Sequence, residues 1–251
     1  MSDAYLQGIL AREAVDTGPY SPVRGVQGIL VPLLGEWANG NLISISPSGS
    51  FSKGTANHSG TDIDLFISLS ENTPNTLQEI YDRLFAKLAG AGYAPKRQNV
   101  SINIRVGGYD VDLVPAKRQN ALSNDHSLYR RKASTWTKTN VQTHITTVWA
   151  GGRQQESRLI KLWRDQKGLD FPSFYVELAV IEALRNTYYG TLSERVAACL
   201  TYLRDNFPNA RFVDPANTNN VISDDLTAKE KQRISAAAGQ ALNGTWEQFV
   251  R

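Results

Sequence analysis

Asp62-Ile63-Asp64-Leu65-Phe66-Ile67-Ser68-Leu69 alternates without a break, with Ile63, Leu65, Ile67 and Leu69 on one face and Asp62, Asp64, Phe66 and Ser68 on the other. The period of two predicts a strand, and its wholly aliphatic face marks the core side. Asp62 and Asp64 then project together from the opposite face. Two carboxylates held that close repel, and divalent cations relieve the repulsion. Mg²⁺ favours carboxylate oxygens together with phosphate and water over a full protein cage. In-line displacement on a nucleoside triphosphate uses two such ions, one activating the attacking oxygen and one steadying the leaving pyrophosphate. A third carboxylate must come from a neighbouring strand, and residues 109–114 offer Asp112 between Val111 and Leu113. An isolated D-x-D is otherwise an ordinary solvent-facing strand edge, so its surroundings decide the reading.

Upstream, residues 42–46 read as a short strand and 47–61 as a polar loop that opens Pro47-Ser48-Gly49-Ser50-Phe51-Ser52-Lys53-Gly54-Thr55. Gly49 and Ser50 follow the strand directly, where backbone N–H groups and a small hydroxyl can cradle phosphate oxygens. Further out, residues 21–39 carry apolar side chains at helical spacing, opened by Ser21-Pro22 and stopped by Gly40, with Pro32 expected to bend the middle. Residues 75–92 read as an amphipathic helix, and 100–106 as a strand turned by Gly107-Gly108 into 109–114. Beyond about residue 120 the pattern is helical, with helices near 139–150, 153–167, 172–188, 191–205 and 227–242 and a loop over 208–226. The expected fold is α+β and bilobed: a mixed lobe over residues 1–125, a helical lobe over 126–251, and a cleft between them as the default active-site position.

Composition narrows the field without choosing a ligand. The chain has 251 residues, 41% of them hydrophobic and 20% charged, with a net charge of +3; that mild surplus suits a phosphate-rich ligand without requiring one. One cysteine, Cys199, excludes an internal disulfide framework. His58, His126 and His144 are scattered without metal-ligand spacing, which argues against zinc. No glycine-rich stretch ends in the G-K-[ST] of a P-loop. With no apolar run long enough for a membrane and no basic leader at the N-terminus, the expected location is the cytoplasm.

Taken together, G-S-x-x-x-G-T, D-I-D-L-F-I and V-D-L-V-P resemble the nucleotidyltransferase signature of the polymerase β superfamily. Within it, the wording resembles the branch of oligoadenylate synthases, cyclic GMP–AMP synthases and bacterial CD-NTases. R-L-I-K-L-W at 158–163 and G-L-D-F-P-S-F-Y-V-E-L-A-V-I-E-A-L at 168–184 are similar to the helical region of that branch, and Asp214-Pro215 with Asn219-Asn220-Val221 resembles its D-P…N-N-V loop. The resemblance implies triphosphate contact by Gly49 and Ser50, and metal binding by Asp62, Asp64 and Asp112. Asp110, on the same strand face, is the alternative third ligand; Asp112 is preferred because it holds the Asp place of V-D-L-V-P. Lys161 inherits a triphosphate contact, although its helix spacing places it opposite the Leu159, Leu162 and Trp163 stripe, where a lysine is normally solvated. Ser173 reads as a helix cap and, by resemblance, as a phosphate or sugar contact. Tyr175 is a nucleobase stacker or a core aromatic. Asp214 borders the nucleotide pocket or merely orders its own loop, and Arg211 and Phe212 are candidates for base contact.

The implied chemistry is template-independent transfer of NTP- or dNTP-derived nucleotides, with two Mg²⁺ (or Mn²⁺) ions and pyrophosphate release. The implied product is a cyclic or linear oligonucleotide acting as a second messenger in bacterial anti-phage defence, read by a separate effector protein. The alternatives are a nucleic-acid 3′ end or a protein side chain as acceptor, or a catalytically silent nucleotide-binding scaffold.

Overall fold

The computed structural model describes residues 3–60 and 62–251. Helix α1 spans Asp3–Arg12, and α2 spans Pro22–Ala38 with Pro32 inside it. Pro22 occupies the first turn, where a missing N–H costs nothing, and Asn39 ends the helix in the left-handed region ahead of Gly40. Strand β1 (Leu42–Pro47) follows, then a short helix α3 (Gly49–Lys53) inside the segment expected to be loop, then β2 (Ile63–Leu69). Helix α4 (Leu77–Gly90) opens with a reciprocal Thr76–Glu79 capping box. Strands β3 (Lys96–Arg97), β4 (Ile102–Val106) and β5 (Tyr109–Arg118) come next, with Gly107 and Gly108 both at positive φ in the tight turn between the last two.

The sequence pattern predicts helix beyond residue 120, and here the structure differs: β6 (His126–Arg130) and β7 (Thr135–Thr139) extend the sheet first. Only His126 and Leu128 of β6 are buried, too few apolar positions to register as an alternation. Helices α5 (Val141–Gly151), α6 (Gln154–Gln166), α7 (Ser173–Ala183), α8 (Leu192–Asp205), α9 (Ala228–Leu242) and α10 (Trp246–Phe249) complete the chain. No described helix is long and apolar enough to cross a membrane.

The described residues fall into two compact units that interleave along the chain. One comprises residues 16–52 and 62–143, the other residues 3–15, 53–60 and 144–251. The first is built on a seven-stranded sheet of order β1-β2-β5-β4-β3, with β6 pairing β5 beyond β4 and β7 pairing β6. β2 and β5 run parallel and place Asp64 directly beside Asp112. Ile63, Leu65, Ile67 and Leu69 are buried as the alternation predicts. Phe66 and Ser68 are buried as well, so only the Asp62–Asp64 end of the polar face is open: Phe66 packs with Ala116 and Leu128, and the Ser68 hydroxyl meets His126 Nε2 at 2.8 Å.

The second unit is helical. Leu6, Ile9 and Leu10 of α1 join Leu159, Ile160 and Trp163 of α6, Tyr175, Val176 and Val180 of α7, and Val196, Cys199 and Leu200 of α8 in one core. The N-terminal helix thus belongs with elements far downstream.

Candidate active site

The sheet unit gathers four carboxylates at one end of its central strands. Asp64 and Asp112 are in register across β2 and β5, and Asp110 and Asp62 each lie two residues before one of them, on the same face. Asp62 is exposed, yet partial loss of water around its carboxyl pushes its pKa up, and the charges of Asp112 and Asp110 push the same way. Asp112 Oδ1 accepts from Asn103 Nδ2 at 2.9 Å and Gln98 Nε2 at 3.1 Å, while Oδ2 has only a long contact to Ser101 Oγ at 3.4 Å. Gln98 and Ser101 are themselves anchored, since the buried Tyr81 hydroxyl lies within hydrogen-bond distance of both of their carbonyls.

Gly49 opens α3 at φ 57°, and a Cβ there would overlap the Asp64 carboxylate. A glycine leaves room for phosphate to approach the backbone, and the Asp64 carboxylate is a second reason for glycine here. Ser48 N donates to Asp64 O at 2.8 Å, fastening the start of the loop to β2, and Ser50 sits half-buried in the first turn of α3.

In the helical unit, Lys161 is not on a solvent face. Ile160 and Lys161 are both buried, so the packed surface of α6 is wider than the Leu159–Leu162–Trp163 stripe. Lys161 Nζ donates to Thr55 O at 3.0 Å and lies 3.6 Å from Glu177 Oε1. Glu177, fully buried, also holds Lys53 Nζ at 2.5 Å and accepts from the Thr55 hydroxyl. Burial lowers the Lys161 pKa to about 8 against the opposing pull of Glu177.

Three other expectations are decided by the packing. Ser173 is the first residue of α7 rather than its cap, which is Pro172, and its hydroxyl accepts from Arg164 Nη1 at 3.0 Å. Tyr175 is wholly buried among Phe171, Phe207 and Phe212, so it is a core aromatic and offers no face to a base; Phe212 belongs to the same cluster. Asp214 accepts from His144 Nε2 at 2.7 Å, Ala216 N at 2.8 Å and Asn220 Nδ2 at 3.2 Å. Its carboxylate is consumed in organising the loop. Burial works against its ionisation, but those hydrogen bonds outweigh it and hold its pKa below the usual carboxylate value.

No family model matches the chain. A curated relative, the cyclic AMP-AMP-AMP synthase of Escherichia coli (strain MS 115-1), is 25% identical over 86% of this chain and 80% of its own length. The structure of the E. coli MS115-1 CdnC:HORMA-deltaN complex contains a chain that superposes with a TM-score of 0.77 at 22% identity, covering 97% of this chain and 90% of that one. The Bradyrhizobium diazoefficiens CD-NTase CdnG in complex with GTP superposes with a TM-score of 0.79 at 15% identity, covering 96% and 90%. The chain is similar to nucleotidyltransferases of the polymerase β superfamily. Among these its likeness is to the cGAS- and DncV-like nucleotidyltransferases, the branch its motifs resemble.

Several further residues carry no motif or periodic signal of their role. Glu177 was quoted as part of a helix motif and given no role, yet it organises three neighbours. Lys53 fills a variable place of G-S-x-x-x-G-T, and Thr55 is that motif's threonine without an assigned role. Gln98, Ser101 and Asn103, which hold Asp112, sit around a strand start and left no periodic signal. Among the described residues, no three His, Cys, Asp or Glu side chains already converge as a metal-binding group. The donor set nevertheless fits a hard divalent cation: carboxylate oxygens on one strand face, mutual repulsion registered at Asp62, and Asp112 Oδ2 with coordination capacity to spare.

Proposed function

We propose that this nucleotidyltransferase joins nucleotides from NTPs or dNTPs without a template, making a cyclic or linear oligonucleotide that serves as a second messenger in bacterial anti-phage defence. The observation that carries the chemistry is the parallel register of Asp64 with Asp112, with Asp62 on the same face and Gly49 against Asp64. Asp62, Asp64 and Asp112 would hold two Mg²⁺ or Mn²⁺ ions. When bound, those ions would supply charge neutralisation at the triphosphate and activation of the attacking hydroxyl. Gly49 keeps the Asp64 carboxylate close to the phosphate loop. Gly49 and Ser50 would take phosphate oxygens beside these carboxylates, and Lys161, by its resemblance to the family's helix lysine, would serve phosphate as a compact point charge. Asp112, steadied by Asn103 and Gln98, lies nearest the acceptor hydroxyl. Catalysis on this reading is mostly positioning and electrostatics.

The product class draws on the E. coli relative, a cyclic AMP-AMP-AMP synthase, and on the GTP complex of CdnG. The HORMA complex of CdnC supports a separate partner protein for this chain as well. The test is to incubate the pure protein with each labelled NTP and dNTP plus Mg²⁺ or Mn²⁺, with and without tRNA, and to resolve products by size. Short oligonucleotides formed without tRNA are expected. Label confined to tRNA or to the protein itself would replace the messenger reading with terminal addition or protein modification, and no turnover under any condition would leave a silent scaffold.

A further inference from the structure

One carboxylate serves two lysines in the interior of the helical unit. Glu177 has no exposed surface, and both its oxygens are engaged: Oε2 by Lys53 Nζ at 2.5 Å, Oε1 by the Thr55 hydroxyl and, at 3.6 Å, by Lys161 Nζ. The lysines are nearly as enclosed, with 9% and 7% of their side chains exposed. Their remaining contacts do not balance the charge. Lys53 lies 4.9 Å from the ring centre of Phe174 and Lys161 donates to the Thr55 carbonyl, while Arg164 on the same helix, although paired with Asp165 at 2.8 Å, still disfavours the charge of Lys161. A buried ion pair is stable only when its charges are matched, so a two-to-one cluster is incomplete until an anion joins it.

We propose that Glu177 is a positioning residue for phosphate binding: its carboxylate fixes Lys53, Thr55 and Lys161 in one cluster that presents a surplus positive charge to an incoming polyphosphate. This rests on the reading of Lys161 as a phosphate contact and extends it to Glu177 and Lys53. Without Glu177, two like charges would face each other in a poorly solvated space, and the cheaper outcome would be loss of a proton from Lys161. The groups facing Lys161 act in opposite directions: Glu177 from α7 favours its charged form, while Lys53 from the end of α3 and Arg164 from α6 disfavour it.

The test is calorimetric binding of inorganic tripolyphosphate, without metal, from pH 6.5 to 9.5, on the wild-type protein, Glu177→Gln and Lys53→Gln. The anion's own titration is common to all three proteins, so differences between them report the cluster. Wild-type binding is expected to weaken as pH rises through about 8, where Lys161 loses its proton, by roughly tenfold per pH unit beyond the midpoint. In Glu177→Gln the midpoint should move down, and in Lys53→Gln it should move up. A role confined to packing would move neither. Identical midpoints with binding intact would overturn the assignment to Glu177 alone, whereas no tripolyphosphate binding to the wild type at any pH would remove the phosphate reading of Lys161 beneath it. If Glu177→Gln does not fold, the upward shift in Lys53→Gln still decides.

Discussion

A methyl group at position 49 would have no room. Its φ of 57° is one that L side chains rarely adopt, and its Cβ would overlap the Asp64 carboxylate. Gly49→Ala should therefore cost about 1–2 kcal/mol from backbone strain alone and displace Asp64, with turnover falling roughly a hundredfold as expected for a misplacement on the ångström scale; thermal melts and a product assay check both. Asp62 makes the opposite kind of prediction. Its folded-state pKa is raised, so ionising it is less favourable in the folded chain than in the unfolded one, and it subtracts stability increasingly as pH rises through that pKa. Asp62→Asn should consequently raise the melting temperature at pH 7–8 in EDTA, show less advantage in Mg²⁺, and abolish turnover. A lower melting temperature in EDTA would count against carboxylate crowding. Tyr175 separates packing from binding. Its buried hydroxyl has no hydrogen-bond partner among the described residues, so Tyr175→Phe should keep both stability and the KM for nucleotide, whereas Tyr175→Ala should cost about 3–5 kcal/mol as a cavity among aromatics. A large KM change in Tyr175→Phe would restore a ligand role.

Among the elements, the long ones were legible because their signals are local. Helices α4, α8 and α9 each begin with a Thr and a Glu three residues on, and each forms a reciprocal capping box. The hairpin at Gly107-Gly108 and the strand at Asp62–Leu69 followed from turn chemistry and period. Elements that depend on distant partners were not legible: β6 and β7 form because β5 offers an open edge beyond β4, and α1 is held by α6 and α8. The loop after α8 is a third case. Its order comes from Asp214, which binds His144 on α5 and two donors of its own turn. Asp214→Ala would strand these partners and should cost about 1–3 kcal/mol, the range for leaving buried polar groups unsatisfied. Faster proteolysis at residues 214–221 and a lower melting temperature are the expected readouts; unchanged cleavage would show that the loop orders itself by other means.

At the scale of the whole molecule, the described residues divide into units that a single cut in the sequence does not reproduce, because residues 53–60 leave the sheet unit and pack with residues from His144 onward. The same excursion delivers Lys53 and Thr55 to Glu177, more than 120 positions later. Periodicity reports which face of an element is apolar within a few residues of itself. It carries no information on pairings of that separation, so the Glu177 cluster left no trace that spacing alone could reveal.

What the amino-acid order determined by itself was the strand bearing Asp62 and Asp64, the glycine ahead of it, the Asp112 hairpin and the run of capped helices, since each depends on side-chain alternation, φ restriction or capping within a few positions. What only the tertiary structure decided was which of these residues are occupied by one another: Lys161 buried on Glu177, Tyr175 closed into an aromatic core, Asp214 spent on its loop, and Asp112 held by Asn103 and Gln98. Burial and hydrogen bonding are properties of assembled neighbours, and a side chain's chemistry is settled by them as much as by its own atoms.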